Sequence, residues 1–295
     1  MAVADIAGGL RLSHASGWNQ LAEDWRVFFE TPGSGAFLVE RDGAVLGTSA
    51  YVRYDSLAWV AMMLVDPGAR RSGLGSRLLE AALEALRDAE CVGLDATPLG
   101  APLYRKYGFV GHSDLARMKG VSQPATKGRA VPMQATDLAE VFERDREVFG
   151  ADRSRLLAEL LRRAPERAWV VRDEAGLQGY CFGRPGRLYS QLGPVVACDA
   201  TVARDLAAAC LSPQATTISE SSDQLNAGGN QGWPPHESEP RSFAIDVNLY
   251  DAEWVEFLKS VGFVAERPFT RMFLRGHAHP GIPARQYAIC GPEFA

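Results

Sequence analysis

The sequence lacks a long apolar run and the start of a secretory signal. Its longest uninterrupted apolar segment, Leu57–Val65, is less than half of the roughly 20 residues that a membrane-spanning helix needs. The first ten residues carry neither a positively charged start nor a long apolar core, so we expect no signal peptide. These absences predict a cytoplasmic protein with no membrane partner.

An excess of positive charge is missing as well. The formal net charge is -5 at pH 7, and a mildly acidic chain is poorly suited to binding a phosphate backbone. We therefore expect no nucleic-acid partner.

Patterns typical of metal sites are also absent. The five cysteines lie far apart without a Cys-x-x-Cys pair, which predicts buried, reduced thiols rather than a disulfide scaffold or a zinc site. His277 and His279 lie two residues apart, but no cysteine or acidic residue accompanies them. We expect no bound metal.

What is present is typical of a globular protein with one large or two modest domains. The 295 residues are 46% apolar, enough to bury a substantial core. A polar stretch at 119–129 reads as a linker, and a Ser-, Gln-, Gly- and Pro-rich stretch at 212–241 as a mobile loop, more simply an insertion than a lid. We predict domains at 1–120 and 130–276, a linker at 121–129 and a C-terminal tail at 277–295.

An internal repeat supports duplication. Ala36–Val52 and Ala168–Arg184 both read as an apolar strand, a polar turn and a second strand with a glycine, and Gly47 aligns with Gly179 without a gap. Each hairpin follows a helical region, and each half later carries a helix that ends in Gly-Phe. We infer that one fold occurs twice.

The patterns of the first half alternate between strands and helices, which indicates an α/β or α+β sheet domain. In chain order we predict strand 10–13, helix 19–29, strands 36–40, 45–54 and 57–65, helix 75–89, strand 92–96, helix 102–107 and strand 109–118.

A glycine-bearing basic turn, Arg70–Gly75, follows strand Leu57–Val65 and precedes a helix. The first amides of a helix have no intrahelical partner, and the helix dipole adds positive potential there. Gly73 and Gly75 allow the backbone to approach an anion closely, and the two arginines add charge. The turn therefore suits a pyrophosphate, although an ordinary strand–turn–helix with surface arginines has the same spacing.

The turn also resembles a known motif. Arg70-x-x-Gly73-x-Gly75 after a strand is similar to the acetyl-CoA-binding motif of the GNAT N-acetyltransferases. The resemblance implies two tandem GNAT-like domains, each with a mixed, mostly antiparallel sheet flanked by helices, and acetyl-CoA as co-substrate. It implies coenzyme contacts from the following residues: Met63, Leu64, Val65, Arg70, Arg71, Ser72, Gly73, Leu74, Gly75 and Ser76.

A second motif agrees with the first. Tyr104–Phe109 resembles the family's Tyr-x-x-x-Gly-Phe helix, in which the tyrosine often protonates the departing thiolate. The resemblance implies that role for Tyr104; by itself the residue also reads as a packed aromatic.

The attacking amine must lose a proton, and strand Leu57–Val65 contains no acid. Asp55, Asp95 and Asp24 are the alternatives, together with relay through water. Asp95 lies at a strand end near Tyr104, where it could also cap the following turn.

The acceptor site is predicted over the first helices, as the resemblance implies. Trp18, Asn19, Asp24 and Trp25 would form a small polar pocket with aromatic walls, in which the carboxylate pairs with an ammonium. In the alternative reading, the tryptophans anchor the core and Asn19 caps a helix.

The second half lacks the chemical residues. After Gly193–Val196 no Arg-x-x-Gly-x-Gly follows, and Leu258 stands in the tyrosine's place. We therefore expect a catalytically silent copy. By analogy with the tandem type of the family, the copy would shape the acceptor pocket or a homodimer interface.

Three functions remain open on the sequence alone. The first is N-acetylation of a small amine, the second is acetylation of a protein or peptide, and the third is a non-catalytic acyl-CoA sensor. The tyrosine favours an enzyme over a sensor, because a sensor needs no acid.

Overall fold

The computed structural model describes residues 1–55, 57–121, 128–212, 242–275 and 280–295. We call 1–121 the first half and 128–295 the second half. The elements of the first half are α1 (Ile6–Ala15), α2 (Ala22–Glu30), β1 (Gly35–Arg41), β2 (Ala44–Tyr54), β3 (Leu57–Val65), α3 (Leu74–Ala85), β4 (Cys91–Ala96), α4 (Ala101–Lys106) and β5 (Val110–Val121).

The second half repeats this order of helices, hairpin, strand and helix. Its elements are β6 (Val131–Pro132), α5 (Leu138–Phe149), α6 (Ser154–Arg163), β7 (Trp169–Asp173), β8 (Gly176–Arg184), β9 (Ser190–Ala197), α7 (Ala200–Leu211), β10 (Ser242–Asn248), α8 (Ala252–Ser260), β11 (Val264–Leu274) and β12 (Gln286–Ala288).

The two predicted hairpins are present, β1 with β2 and β7 with β8. Their aligned glycines lie where a helix packs against the sheet. A Cβ on Gly47 would lie 2.9 Å from Leu78 of α3, and one on Gly179 would lie 2.8 Å from Val202 of α7. A side chain at either position would push the helix away, so the repeat at these glycines reflects packing.

The strand predicted at 10–13 is wrong, because those residues belong to helix α1. The pattern misled because Gly8 and Gly9 weaken a helical signal. The structure shows why glycine stands there: a Cβ on Gly8 would lie 2.5 Å from Val45, and one on Gly9 would lie 2.8 Å from Trp25. Helix α1 lies too close to β2 and α2 for side chains at these positions.

The strands of the described residues form one twelve-stranded sheet in the order β1-β2-β3-β4-β11-β5-β10-β12-β9-β8-β7-β6. Strand β11 of the second half lies between β4 and β5 of the first. In turn, β5 pairs antiparallel with β10 of the second half. The halves have therefore exchanged their last long strands, and neither has a complete sheet alone.

Two buried ion pairs join the exchanged strands. Arg271 on β11 is the register partner of Asp95 on β4, and Arg117 on β5 is the register partner of Asp246 on β10. Each arginine donates two hydrogen bonds, at 2.9 and 2.9 Å in the first pair and at 2.8 and 2.7 Å in the second. The pairs occupy equivalent places in the two halves, so they belong to the duplicated scaffold.

The last residues differ from the predicted tail. Strand β12 lies inside the sheet, and Ile289, Cys290 and Phe294 are fully buried. Of the other predicted segments, the loop at 212–241 and the linker at 121–129 fall largely outside the described residues.

Candidate active site

The site begins where two parallel strands part. Strands β3 and β4 pair through Leu57↔Cys91, Ala58↔Val92 and Trp59↔Gly93. Beyond Trp59, β3 continues to Val65 without a paired rung to β4 in the described residues. We call this opening the first gap; backbone groups along it are available to a ligand that lies between the strands.

A β-bulge shapes the β3 side of the first gap. Met62 has a φ of 52°, and the register with β2 shifts between Thr48 and Ala50. The Thr48 hydroxyl donates to the Met62 carbonyl at 2.9 Å. Because of the extra residue, Ala61 and Met62 both pack on the face covered by α1 and α2. The bulge changes the direction of the β3 backbone at Met63, beside the first gap.

The basic turn folds tightly at the end of β3. The Asp66 carboxylate accepts from the Gly68 amide at 3.0 Å, and the Ser72 hydroxyl donates to the Ala69 carbonyl at 2.6 Å. Arg71 and Gly73 adopt left-handed conformations with φ of 62° and 82°. These hydrogen bonds within the turn hold its backbone beside the first turn of α3.

The amino end of α3 is open. Within the described chain no side chain caps it at Gly73, so the amides of Leu74, Gly75 and Ser76 have neither an intrahelical partner nor a side-chain cap. A Cβ on Gly75 would meet only ordinary contacts, the nearest at 3.6 Å to Leu103. The space beside Gly75 is therefore free for an anion, with the helix dipole favouring it.

Tyr104 of α4 lies on the same side of the sheet as α3. Its ring packs edge-on against Phe109 at 6.0 Å, and the residue is buried. Burial raises the pKa of its phenol. The group is therefore fully protonated at neutral pH, as a proton donor must be.

Asp95 has a partner already. It is buried in the bidentate pair with Arg271 described above, and the same pair recurs at Asp246, in the half that lacks the chemical motifs. A pair that occurs in both halves has a structural role. We therefore interpret Asp95 as part of the scaffold, held by Arg271; the Gly100 amide in the following turn donates to Thr97, not to Asp95.

Asp24 is also engaged within the protein. Its carboxylate accepts from Arg163 at 2.9 Å and from Arg184 at 2.8 Å, both in the second half. It also accepts from the Leu21 amide at the start of α2. With no exposed surface, it joins the two halves instead of facing a pocket.

The other predicted acceptor residues behave similarly. The Asn19 amide bonds to the backbone of Leu188 and Tyr189 at 2.8 to 3.2 Å, so it ties the α1–α2 connection to the second half rather than capping α2. Trp25 is fully buried and Trp18 packs against the same core. The structure brings these residues together as an interface between the halves.

Sequence reasoning missed the two Asp–Arg pairs. A signal existed: Leu115–Met118 reads Leu-Ala-Arg-Met and Phe269–Met272 reads Phe-Thr-Arg-Met, at matching places in the repeat. The bulge at Met62 and its Thr48 partner had no recognisable signal.

Metal-binding and membrane-spanning features are not found in the described part of the chain. Among the described residues, no group of three or more His, Cys, Asp or Glu side chains is placed to hold a metal ion. His277 and His279 lie outside those residues. In the same ranges, no helix has the length and apolar character needed to cross a bilayer.

Comparison with family models matches both halves. Residues 10–109 match the model "Acetyltransferase (GNAT) family", and residues 141–219 match "Acetyltransferase (GNAT) domain". Together the matches span more than half of the chain. The chain therefore belongs to the GNAT acetyltransferases, with two GNAT domains in tandem, and it is an acyltransferase by family.

Individual proteins are similar to the chain as well, and the solved structures among them share its fold. The chain is 28% identical to a holothin acyltransferase of Pseudoalteromonas sp. (strain SANK 73390) over 221 residues, which cover 72% of this chain and 74% of the relative. A putative acetyltransferase from Pyrococcus horikoshii superposes with a TM-score of 0.76 at 22% identity, covering 100% and 94% of the two chains. A tandem GNAT protein from the clavulanic acid biosynthesis pathway gives 0.61 at 17% identity, covering 94% and 98%.

Proposed function

We propose that this protein is an acetyl-CoA-dependent N-acetyltransferase that acetylates a primary amine of a small molecule. The observation that carries the proposal is the junction of the first gap with the uncapped amino end of α3. There, the β3 edge along the first gap is followed in the chain by two exposed arginines, Arg70 and Arg71, and then by the uncapped amides of α3. We call this series of groups the path.

Each part of that path suits one part of the co-substrate. The amides of Gly75 and Ser76, with Arg70 and Arg71, would hold the pyrophosphate. The free edge of Met63–Val65 would hydrogen-bond the amide groups of the pantetheine arm, as a neighbouring strand does. The thioester would then lie within the first gap.

The chemistry would be direct transfer. The neutral amine attacks the thioester carbonyl carbon and forms the C–N bond, and the C–S bond then breaks. The departing thiolate takes the phenol proton of Tyr104, and the amine proton leaves to a base. The phenol is protonated at neutral pH and can donate; burial raises its pKa and so makes it a weaker acid, which puts the case for Tyr104 on its place in the motif.

For the second proton we propose relay through water. Asp24 and Asp95 are held in buried ion pairs. Asp55 lies in the turn at the end of β2, beyond the opposite end of β3 from Val65, and accepts from the Asp152 amide at 3.1 Å. None of these carboxylates is placed to receive the proton directly.

A small-molecule acceptor has support from one relative, which is named for a single compound, holothin. The test is release of free thiol from acetyl-CoA across panels of small amines and of basic peptides. We expect amine-dependent turnover with small amines and about 100-fold less with Tyr104→Phe at unchanged coenzyme affinity. Turnover only with peptides would shift the acceptor class, and no turnover with bound coenzyme would favour a sensor.

A further inference from the structure

The second half contains a counterpart of the first gap. Strands β9 and β10 pair in parallel at three rungs, from Phe243↔Ser190 to Ile245↔Leu192, just as β3 and β4 do. Beyond Leu192, however, β12 lies between them and pairs with both. The opening that no described strand fills in the first half is filled here by the chain's own backbone.

The start of the following helix is closed as well. The Asp199 carboxylate accepts from the Val202 amide at 2.9 Å at the beginning of α7. That hydrogen bond is the main reason why the pKa of Asp199 is lowered. The Asp199 carboxylate thus caps the amino end of α7, whereas within the described residues no side chain caps the amino end of α3.

Strand β12 is firmly anchored in its place. The Trp254 indole donates to the Tyr287 carbonyl at 2.9 Å, and the Asn248 amide donates to the Gln286 carbonyl at 2.8 Å. Ala288 has no exposed surface. The segment is therefore part of the second core.

The chain then crosses to the first half. The Trp59 indole donates to the Pro292 carbonyl at 2.9 Å, and the Tyr54 hydroxyl donates to the Phe294 carbonyl at 3.2 Å. Trp59 forms the last paired rung before the first gap, and its ring lies so close to Gly93 that a Cβ there would be only 2.2 Å away. The segment thus holds the fully buried Trp59 side chain, whose backbone forms the last rung before the first gap.

We propose that strand β12 (Gln286–Ala288) occupies the place in the second half where a coenzyme would lie, and that the residues after it, through the Pro292 carbonyl, position Trp59 beside the first gap. The positioning role rests on the proposed function of the first half. The docking of β12 does not, because it depends only on the geometry of β9, β10 and β12.

The first test is hydrogen exchange on the full chain, with and without saturating acetyl-CoA. We expect protected amides at 286–290 that acetyl-CoA leaves unchanged, while amides at 63–76 gain protection. Rapid exchange at 286–290, or loss of their protection when acetyl-CoA binds, would overturn the docking. If the amides at 63–76 gained no protection, that result would count against the proposed function. The docking would still be tested by the exchange rates of the amides at 286–290.

The second test separates docking from general damage. A Cβ on Gly193 would lie 2.0 Å from the Ile289 carbonyl oxygen, so Gly193→Ala displaces the segment. The matched control is Gly176→Ala, which also has a positive φ, 103°, but whose Cβ would meet only Glu140 Oε1 at 3.2 Å. We expect only Gly193→Ala to speed exchange at 286–290, by about ten-fold or more.

Kinetics then test the positioning of Trp59. Trp59→Phe keeps an aromatic ring but removes the donor to Pro292. This variant tests the positioning role even if Gly193→Ala does not fold. For both variants we expect kcat/KM for the amine to fall about five-fold or more while acetyl-CoA affinity changes less than about two-fold. An unchanged kcat/KM, or an equal loss of coenzyme affinity, would overturn the positioning role.

Discussion

The two buried Asp–Arg pairs give a prediction that separates scaffold from catalyst. Asp95→Asn removes the charge that partners Arg271, whose side chain is 1% exposed, and Asp246→Asn does the same to Arg117 at 6%. Both arginines would remain buried with an uncompensated charge. We expect both variants to lose stability for the same reason.

The magnitude follows from the cost of an unpaired buried charge. Removing one partner of a buried pair typically costs about 3–5 kcal/mol of unfolding free energy. The Asn amide keeps part of the hydrogen bonding, so we expect the lower end, about 3 kcal/mol, for Asp95→Asn. Asp246 also accepts from Gln191 at 2.8 Å, so its variant should lose at least as much.

The assay is equilibrium unfolding in urea, paired with turnover below the transition. We expect similar losses of unfolding free energy for the two variants, with kcat of the folded protein within about three-fold of the parent. The double change Asp95→Leu with Arg271→Met should recover most of the stability, because no charge stays buried. A large fall in kcat for Asp95→Asn alone, at little cost in stability, would refute the scaffold role and restore Asp95 as a catalytic base.

Three further predictions follow from the first half. Gly73→Ala should lower stability by about 1–2 kcal/mol, measured by urea unfolding, because its φ of 82° disfavours a side chain; a neutral result would contradict the left-handed conformation at this turn. Burial raises the pKa of Tyr104, so its protonated form persists above the ordinary value near 10, and kcat should not fall through pH 9–10 on its account; a tyrosine titration there in the pH–rate profile would argue against it. Acetyl-CoA affinity should weaken as salt rises, since Arg70 and Arg71 are exposed, and a salt-independent Kd would exclude them as charge partners.

The sequence predicted the parts of the fold that local patterns determine. Strand β3 has the predicted bounds, and the basic turn between β3 and α3 lies where its glycines and arginines indicate. The hairpins followed from alternating apolar residues around polar turns. In these places local propensity and tertiary packing agree, so periodicity is a sufficient guide.

Long-range pairing could not be predicted in the same way. Nothing local distinguishes a strand that stays in its own half from one that is exchanged, and β5 and β11 reveal their places only through register with β4 and β10. Likewise, Asp24 lies among tryptophans and an asparagine in the sequence, as a pocket residue would. Its partners, however, are Arg163 and Arg184, which lie more than 100 residues further along the chain. The same side chains can line a pocket or form an interface, and only the residues that contact them in the folded chain distinguish the two.

Calorimetric titration of acetyl-CoA into the purified chain tests the central claim most directly. We expect one equivalent per chain, bound at the first gap, with affinity reduced at least about ten-fold by Arg71→Ala. Arg87→Ala is the matched control, because this exposed arginine lies just past α3 and pairs with Glu84 on that helix's surface. Two equivalents would contradict a filled second cleft, and no binding, or equal losses in both variants, would contradict a coenzyme site at the amino end of α3.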